Sequence, residues 1–392
     1  MAHFYQSIEG WFDFDDIYEL ALRRCGGKTA GFVEVGAYKG RSTCYLAERI
    51  RETGLPVRLD VVDTFAGDAD VGRGDLWPAF AANLDRAGLL SEITAHRCCS
   101  VKAAAAFHDQ SLDFIYIDAL HTFDAVSRDL AAWWPKLRPG GLIAGHDYTH
   151  STAVRAAVDL FVSAPGPGKA FRTSRTSWMI YKSLSIDAAY CISLPRRVDR
   201  RRAAAEQFAA ADLSPEVVFF DAIDGTTLAH PGVISDGQAG CCMSHLAVMR
   251  AAREQGHNHI LVFEDDIILA DDFARSFHLA LSRCPASYDL CYAGAICRAA
   301  WGNYLYPFDD LLSRVGSVCG THGYVVNLEC YPMIEAGLGS MRNVIDTWFI
   351  RELQPRGGSY ACTPYLAVQS SGYSDVANAF NSNGAYPEYV WR

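Results

Sequence analysis

The fold follows from the apolar run Leu112-Asp113-Phe114-Ile115-Tyr116-Ile117-Asp118, which ends in a carboxylate. A second run of the same design ends in three acidic residues, Ile260-Leu261-Val262-Phe263-Glu264-Asp265-Asp266. Acidic side chains at the carboxyl ends of buried parallel strands lie where open α/β sheets bind ligands. The two runs are about 150 residues apart, which is roughly the length of one domain. The sequence therefore predicts two active centres in one chain.

Strand and helix patterns alternate around both runs. In the first half, strands at 31–36, 58–63, 93–97, 112–118 and 141–145 alternate with helices at 14–25, 41–53, 75–88, 101–108 and 122–137, and the half closes with a helix at 151–162 and a hairpin over 170–182. The second half begins a new alternation, with strands at 189–194, 217–220 and 259–263 and helices at 197–211 and 239–255. Such alternation predicts mostly parallel sheets covered on both faces. We predict an α/β protein with two domains, residues 1–184 and 185–392.

The composition excludes several classes of protein. Half of the 392 residues are apolar and a fifth are charged, as in soluble globular proteins. The net charge of −10 argues against a nucleic-acid partner, although the arginines at 196–197 and 200–202 form a local cluster that suits either phosphate binding or a solvated helix face.

No apolar stretch reaches the length of a membrane span, so any membrane contact, at the inner membrane for example, is expected to be peripheral. The 13 cysteines lack metal-site spacing and no signal-peptide pattern precedes them, which predicts reduced thiols and a cytoplasmic location.

The first candidate site begins at a strand, a glycine-bearing turn and a helix start, Glu34-Val35-Gly36-Ala37-Tyr38-Lys39-Gly40-Arg41-Ser42-Thr43. Gly36 and Gly40 would let the backbone approach a ligand, and the helix start offers free N–H groups. The Gly-x-x-x-Gly spacing departs from the dinucleotide pattern, which disfavours a nicotinamide enzyme. Asp63, at the end of the next strand, could accept hydrogen bonds from a ribose diol. Any βα unit with a glycine turn would look similar.

Later segments of this half distinguish a cofactor site from an ordinary βα turn. They are the run 113–121, Asp129-Leu130, Trp133-Trp134-Pro135-Lys136-Leu137, Pro139-Gly140-Gly141 and Ala144-Gly145-His146-Asp147-Tyr148. Over about residues 28–182 this order resembles the S-adenosylmethionine-dependent class I methyltransferases, and more narrowly the small-molecule and sugar O-methyltransferases. The resemblance implies a Rossmann-like fold and S-adenosylmethionine as the cofactor. It also implies a set of cofactor-binding residues: Glu34, Gly36, Gly40 and Ser42 on the methionine and ribose side, Asp63 at the ribose, Ser100 near the adenine, and Asp118.

A metal ion is predicted beside this cofactor site. Asp118 and Asp147 lie at two strand ends and could share a hard, oxygen-preferring ion such as Mg²⁺. An ion bound to an acceptor hydroxyl would lower the pKa of that hydroxyl, so that a nearby histidine, His121 or His146, could act as the catalytic base. The alternative is that Asp147 caps a helix and His146 only packs.

The second candidate site is the acidic turn at 264–266. Side chains two residues apart on a strand point the same way, so Glu264 and Asp266 can face one metal ion. That ion could bridge the two phosphates of a nucleotide sugar and stabilise the departing diphosphate. A solvated surface turn is the alternative for the tripeptide taken alone.

Further motifs surround that turn. They are Tyr190 to Arg201, Ala222-Ile223-Asp224-Gly225, Gly240-Cys241-Cys242-Met243-Ser244-His245, Gly320 to Val326, Asp346 after Val344-Ile345, and Gln369 with Ser374-Asp375. Over about residues 187–376 this set resembles the family 25 glycosyltransferases, of the lipooligosaccharide galactosyltransferase type. The resemblance implies a GT-A-like fold, a UDP-sugar donor and Mn²⁺ or Mg²⁺.

Roles for individual residues follow from that resemblance. The nucleotide-sugar set comprises Ser193, Leu194, Arg197 and Arg200 at the first strand end, Asp224 and Gly225 beside the uridine, and Asp265. Ser244 and His245 could flank the donor, although a buried histidine is equally consistent with packing. Asp346 is the candidate catalytic carboxylate on the acceptor side, acting as base or substrate anchor, or else an ordinary helix cap.

Together the two resemblances predict a bifunctional enzyme of lipopolysaccharide or other surface-glycan biosynthesis. One half would transfer a hexose, galactose or glucose, from a UDP-sugar to a glycan or glycolipid acceptor, and the other would methylate a hydroxyl. One alternative is a small-molecule O-methyltransferase fused to an inactive or scaffold glycosyltransferase-like domain. The sequence does not indicate the acceptor, the stereochemical outcome or the oligomeric state.

Overall fold

The computed structural model describes residues 4–25, 27–68, 72–164, 169–211, 213, 216–297, 302, 304–370, 372–374 and 379–381. The chain divides into two compact units. The first comprises Met1–Ser183 and Pro285–Ser287, and the second comprises Leu184–Cys284 and Tyr288–Arg392. Each unit is built on its own sheet, which confirms the predicted α/β class.

The first unit contains a seven-stranded sheet and a small hairpin. Its strands are β1 (Ala30–Val35), β2 (Val57–Asp63), β3 (Gly67–Asp68), β4 (Gly72–Arg73), β5 (Ile93–Arg97), β6 (Leu112–Ile117), β7 (Leu137–Gly145), β8 (Lys169–Ser174) and β9 (Ser177–Lys182). Its helices are α1 (Asp15–Arg24), α2 (Arg41–Thr53), α3 (Trp77–Arg86), α4 (Ser100–Ala104), α5 (Phe123–Trp133) and α6 (Thr152–Ser163).

The strand order of the large sheet is β5-β2-β1-β6-β7-β9-β8. The first five strands in that order are parallel, and β9 and β8 add an antiparallel edge. The chain moves outward from β1 through β2 to β5 and then returns to place β6 on the other side of β1. This reversal opens a crevice beyond the carboxyl ends of β1 and β6, where doubly wound sheets bind ligands.

Buried side chains cover both faces of this sheet. All six residues of β1 are buried, and successive side chains alternate between two apolar clusters. Phe32 packs with Tyr18 and Phe114 on one face, and Val33 packs with Ile115 and Trp133 on the other.

One predicted boundary in this unit is wrong. The helix expected to reach residue 137 ends at Trp133, and β7 begins at Leu137, before the Pro139-Gly140-Gly141 segment that was expected to precede the strand. Pro135 explains the early end, because proline has no N–H to donate and its ring would clash with the carbonyl one turn back in the helix.

The second unit contains an eight-stranded mixed sheet and two two-stranded sheets. Its strands are β10 (Ala188–Ser193), β11 (Val217–Asp221), β12 (His259–Glu264), β13 (Ile267–Leu269), β14 (Leu290–Ile296), β15 (Tyr304–Pro307), β16 (Leu312–Ser317), β17 (Cys319–Asn327), β18 (Ser359–Cys362), β19 (Ala367–Gln369), β20 (Gly372–Ser374) and β21 (Ala379–Asn381). The two small sheets pair β13 with β19 and β20 with β21. Its helices are α7 (Val198–Ala211), α8 (Asp236–Glu254), α9 (Phe273–Arg283), α10 (Tyr331–Leu338) and α11 (Ile345–Trp348).

The order of the large sheet is β11-β10-β12-β17-β14-β18-β16-β15. β10 is parallel to both β11 and β12, and β17 is antiparallel to β12. The chain places β11 on one side of β10 and then β12 on the other, so the strand order reverses between β10 and β12, and the acidic turn after β12 lies at that reversal. None of the helices in the described ranges is long and apolar enough to cross a membrane.

Two glycine substitutions, one at Gly36 and one at Gly54, test the close approach of β1 and β6. A Cβ on Gly36 would lie 1.8 Å from the Asp118 carbonyl oxygen, whereas a Cβ on Gly54 would meet no atom within 4 Å, although both residues have positive φ. We expect Gly54→Ala to cost only the left-handed backbone strain, about 1–2 kcal/mol. Gly36→Ala should cost more than about 4 kcal/mol, because two strand ends must separate. Urea denaturation of both variants measures the difference, and equal losses would contradict this packing.

Candidate functional sites

The glycine turn after β1 is shaped by close packing. Gly36 has a φ of +92° and allows the backbone after β1 to touch the Asp118 carbonyl. Gly40 is the N-cap of α2 with a φ of +85°, and a Cβ there would lie 2.6 Å from the Leu84 side chain. Both glycines therefore fix the path of the turn, and their contact with a cofactor stays a prediction.

Asp63 holds this turn from the neighbouring strand end. Its Oδ2 accepts hydrogen bonds from the backbone N–H groups of Ala37 (2.8 Å) and Tyr38 (3.1 Å), and its Oδ1 accepts from that of Phe65 (2.7 Å). Each carboxylate oxygen can accept more than one hydrogen bond, and Asp63 is partly exposed. The residue can therefore both brace the turn and receive a ribose hydroxyl.

Glu34 and Ser42 lie behind the turn rather than on its surface. Glu34 is 1% exposed and accepts hydrogen bonds from Tyr18 (2.6 Å), Thr43 and Ser42. Burial raises the pKa of the Glu34 carboxyl, and the three hydroxyl donors offset part of that shift. These residues brace β1 against α1 and α2, which the sequence did not indicate because Tyr18 is distant in the chain.

Ser100 also makes internal contacts at the start of α4. Its Oγ accepts a hydrogen bond from the Trp133 indole N–H at 2.8 Å and bonds to the buried carboxyl of Asp129. Burial raises the pKa of Asp129, and Ser100 opposes that shift. The predicted adenine contact of Ser100 is untested.

An acid–histidine cluster follows β6 and β7. The Nε2 of His121 lies 3.2 Å from Asp118 Oδ1 and 3.1 Å from Asp147 Oδ2. The candidate ligand atoms of these three residues lie within 4.8 Å of one another, and all three residues are partly exposed. Two carboxylates and one imidazole suit a divalent cation such as Mg²⁺ or Mn²⁺, with His121 in the place of a third acidic ligand.

His146 has a partner that the sequence analysis missed. Its Nε2 lies 2.8 Å from Asp13 Oδ1, and its Nδ1 lies 3.3 Å from Asp147 Oδ1. Burial alone would lower the pKa of His146, but Asp147, Asp118 and Asp13 together raise it to about 9. In this arrangement His146 is a cation at neutral pH and a poor proton acceptor, which leaves His121 as the better candidate base.

In the second unit, Asp265 and Asp266 share Arg200. The Ser193 hydroxyl donates to Asp265 Oδ2 at 2.6 Å, which ties the end of β10 to the turn after β12. Arg200 Nη1 lies 2.9 Å from Asp265 Oδ1 and 3.4 Å from Asp266 Oδ2. The structure therefore brings three of the predicted donor-binding residues together at the crevice.

Asp266 is buried in this turn, and one of its two carboxylate oxygens has no hydrogen-bond partner among the described residues. Gln369 donates to its Oδ2 at 3.1 Å, while its Oδ1 is buried without a hydrogen-bond partner among the residues that the structure describes. Burial and the neighbouring charge of Glu264 raise the pKa of Asp266 to about 7. A buried acceptor without a donor is costly, so a cation at this oxygen would be stabilising. The predicted neighbours Ser374 and Asp375 lie outside the residues whose side chains are described.

Glu264 turns toward β17 and α8. Its Oε1 accepts from Thr321 Oγ1 at 2.5 Å and lies 3.4 Å from His245 Nε2. Burial would raise the pKa of Glu264, but His245, Thr321 and His322 together lower it. Glu264 and Asp266 are close enough to influence each other's ionisation, yet each contacts different side chains. Their predicted sharing of one ion stays a prediction.

Several other predicted donor residues make local contacts. A Cβ on Gly225 would lie 1.6 Å from the Asp236 carbonyl, so this buried glycine packs against the start of α8. Arg197 pairs with Asp199 at 3.0 Å, and Asp224 pairs with Arg196 and caps its own turn. Leu194, directly after β10, is half-buried.

Two further predicted residues lie around α8 and α11. Asp346 is in the first turn of α11, where its Oδ1 accepts from the Thr347 N–H at 2.7 Å. The charge of Asp346 contributes to raising the pKa of both the Cys241 and the Cys242 thiols. Ser244 donates to the Gly240 carbonyl at 2.6 Å and accepts from the Ile223 N–H at 2.8 Å, which makes it a packing residue of α8.

Family comparisons agree with this division into two sites. Residues 33–148 match the family model described as a methyltransferase domain, and residues 186–305 match glycosyltransferase family 25 (LPS biosynthesis protein). The chain joins a methyltransferase domain to a family 25 glycosyltransferase domain. The predicted pairing of these two families is confirmed, and the parallel sheet of the first unit agrees with the predicted Rossmann-like methyltransferase fold.

Individual relatives cover parts of the chain. The mouse (Mus musculus) "Inactive glycosyltransferase 25 family member 3" is 29% identical over 133 residues, covering 28% of this chain and 22% of the relative. An Anopheles gambiae "Glycosyltransferase 25 family member" is 28% identical over 167 residues, covering 37% of this chain and 28% of the relative. The chain thus spans under a third of the length of these curated relatives.

Solved structures similar to the chain include two O-methyltransferases. NovP is 18% identical with a TM-score of 0.37, and the match covers 42% of this chain and 77% of NovP. The O-methyltransferase from Bacillus cereus in complex with SAH is 17% identical with a TM-score of 0.33, covering 44% of this chain and 81% of that protein.

The buried donor to Glu34 can be tested by removing one hydroxyl. Tyr18→Phe should lower the free energy of unfolding by about 2 kcal/mol, because a buried carboxyl loses one of its hydrogen bonds. The matched control is Tyr45→Phe, whose hydroxyl donates at 2.9 Å to the partly exposed Glu19, where water can replace it. That control should cost under about 1 kcal/mol. Thermal or urea unfolding compares them, and equal costs would show that Glu34 is not held as described.

Proposed function

We propose that the first unit transfers a methyl group from S-adenosylmethionine to a hydroxyl group of a sugar. The observation that carries this proposal is the crevice beyond β1 and β6, where the Asp63-braced glycine turn and the acid–histidine cluster end on the same sheet edge. The turn suits the methionine and ribose parts of the cofactor, and the cluster suits the acceptor. The matched methyltransferase family supports the reaction class.

Methyl transfer requires an aligned acceptor oxygen and removal of its proton. Asp118 and Asp147 would hold a divalent cation, which would supply Lewis-acid chemistry that acidifies the acceptor hydroxyl. His146 is charged by its three carboxylate neighbours and would keep Asp147 and Asp118 in position. His121, when not bound to the cation, is the side chain that can accept the proton.

The role of Asp63 leads to a binding test. Asp63→Asn should weaken S-adenosylmethionine binding at least tenfold, because an amide cannot accept from two backbone N–H groups and a ribose diol with both of its terminal atoms. The control is Asp85→Asn, an exposed residue of α3. Isothermal titration calorimetry measures both affinities, and unchanged binding by the Asp63 variant would refute this placement of the cofactor.

We infer that the second unit transfers a hexose, galactose or glucose, from a UDP-sugar to a glycan or glycolipid acceptor. The observation that carries this inference is the unpartnered Oδ1 of Asp266 beside Arg200, at the reversal between β10 and β12. A divalent cation at Asp266, with Glu264 nearby, would neutralise the diphosphate of the donor. The description of the matched family, LPS biosynthesis protein, supports a surface glycan as the product.

Asp346 is proposed for the acceptor side of this reaction. It lies in the first turn of α11, which packs against α8, and its charge acts on both cysteines of α8. Its carboxylate could anchor the acceptor hydroxyl or accept its proton. Ser193 and Arg200 would instead hold the donor side, because both bond to Asp265.

A second candidate function is an O-methyltransferase joined to an inactive glycosyltransferase-like domain. The word "inactive" in the name of the mouse relative favours this alternative. The buried Oδ1 of Asp266, which has no hydrogen-bond partner among the described residues, favours an active glycosyltransferase domain. Such an unsatisfied oxygen is costly unless a group such as a cation binds it.

Substitution of Asp266 distinguishes an active glycosyltransferase domain from an inactive one. Asp266→Asn should abolish Mn²⁺-dependent binding of UDP-galactose or UDP-glucose, because it removes the charge that would hold the cation, and should leave S-adenosylmethionine binding unchanged. Asp271→Asn, an exposed residue just after β13, is the matched control. If the unaltered chain binds neither nucleotide sugar by calorimetry, the inactive alternative holds instead.

A further inference from the structure

Three donor side chains of different chemistry meet beside the acidic turn of the second unit. Cys241 and His245 are four residues apart on α8 and therefore share one face of that helix. Glu264 ends β12 and faces the same point. One donor atom from each residue lies within 4.8 Å of the other two. Sequence spacing alone did not reveal this group, because the third donor lies on a different element.

We infer that Cys241, His245 and Glu264 bind a borderline-soft divalent cation of the Zn²⁺ class, in a position distinct from the hard cation proposed at Asp266. Thiolate and imidazole donors select Zn²⁺ and Co²⁺ over Mg²⁺ and Ca²⁺, and three protein ligands leave a fourth position open. This inference depends only on the three donors and holds whether or not the second unit transfers a hexose.

The hydrogen bonds around His245 and Glu264 orient them as ligands. His245 is 1% exposed, and its Nδ1 lies 2.9 Å from the Tyr324 hydroxyl, so Nε2 is the nitrogen left for a cation. Nε2 faces Glu264 Oε1 at 3.4 Å, and Thr321 donates to that same oxygen. Outer partners of this kind fix the ring and the carboxylate in most protein metal sites.

The charges around Cys241 argue against a nucleophilic cysteine. Burial and the nearby carboxylates of Glu264, Asp346 and Asp266 raise the pKa of the Cys241 thiol well above its ordinary value. A cysteine nucleophile needs the opposite surroundings. In a Cys–His–Glu relay, moreover, the cysteine and the glutamate would contact opposite ring nitrogens, whereas here Tyr324 holds the second nitrogen. A bound cation would stabilise the thiolate directly.

A neighbouring histidine provides a second, independent observation. His322, on β17, is 2% exposed, and in the described part of the chain neither of its ring nitrogens makes a hydrogen bond of normal geometry. It follows Thr321, whose hydroxyl donates to Glu264, and its charge would lower the pKa of Glu264. The Ala367 backbone offsets part of the fall that burial imposes on the pKa of this imidazole, without completing a hydrogen bond of normal geometry, so the ring keeps capacity for a further group. Cys241 and Glu264 are partly exposed, which leaves the cation a path to solvent.

Cobalt substitution tests this site directly in the full chain. After removal of metals with a chelator, titration with Co²⁺ should produce the near-ultraviolet absorption of a cobalt–thiolate bond, saturating at one equivalent and disappearing when Zn²⁺ is added. Cys241→Ser should abolish this band. The cluster of Asp118, His121 and Asp147 contains no thiol and cannot produce it. Glu264→Gln should weaken Co²⁺ binding at least tenfold while retaining the band at saturation.

Two control variants make the result specific. Cys99→Ser removes an exposed thiol of the first unit, and Cys291→Ser removes a thiol from the buried group that it forms with Cys284 and Cys362; both should keep the band. Circular dichroism establishes that each variant is folded. Absence of a band in the unaltered chain, or a band that survives in Cys241→Ser, overturns the inference. Binding of UDP-sugars with Mn²⁺, measured on the unaltered chain and on Cys241→Ser, fails or succeeds independently of this band.

Discussion

Carboxylates gathered at the end of a parallel strand repel one another, and both sites depend on how that repulsion is balanced. In the first unit, His121 lies between Asp118 and Asp147. In the second, Arg200 lies between Asp265 and Asp266. The His121 ring holds its two acids by hydrogen bonding, and the Arg200 guanidinium holds its two by charge as well. A bound cation could take over part of either role. The folding of each sheet thereby creates a site suited to a divalent ion and a charged donor molecule.

The strands and helices near the two acidic runs could be predicted because their signals are local. An apolar run bounded by glycine or acidic residues predicts a buried strand, and β1, β6 and β12 are found where such runs occur. The carboxyl ends of parallel strands meet at one edge, so the proximity of Asp118 and Asp147 could also be predicted. The mixed region from β14 to β19 could not, because its antiparallel pairings join segments without a regular alternation of helix and strand.

Partners supplied from distant parts of the chain were not predictable. Asp13 reaches His146 across 133 positions, and Thr321 reaches Glu264 across 57. Asp13 belongs to no motif, and the motif that contains Thr321 gave no sign of its contact with Glu264. Each contributes because tertiary packing brings it to a strand end. Glu34 shows the converse: its motif suggested a ligand-facing carboxylate, but Tyr18 packs over it and leaves it buried. A sequence pattern can locate a strand end, whereas side-chain burial there depends on the whole core.

We expect each sheet edge to bind its own activated donor, independently of the other. Equilibrium dialysis of the full chain with labelled S-adenosylmethionine and labelled UDP-galactose or UDP-glucose, in the presence of Mn²⁺, measures both stoichiometries at once. One molecule of each donor should bind per chain, with neither displacing the other. Competition between the two donors for a single equivalent, or binding of only one of them, would contradict it.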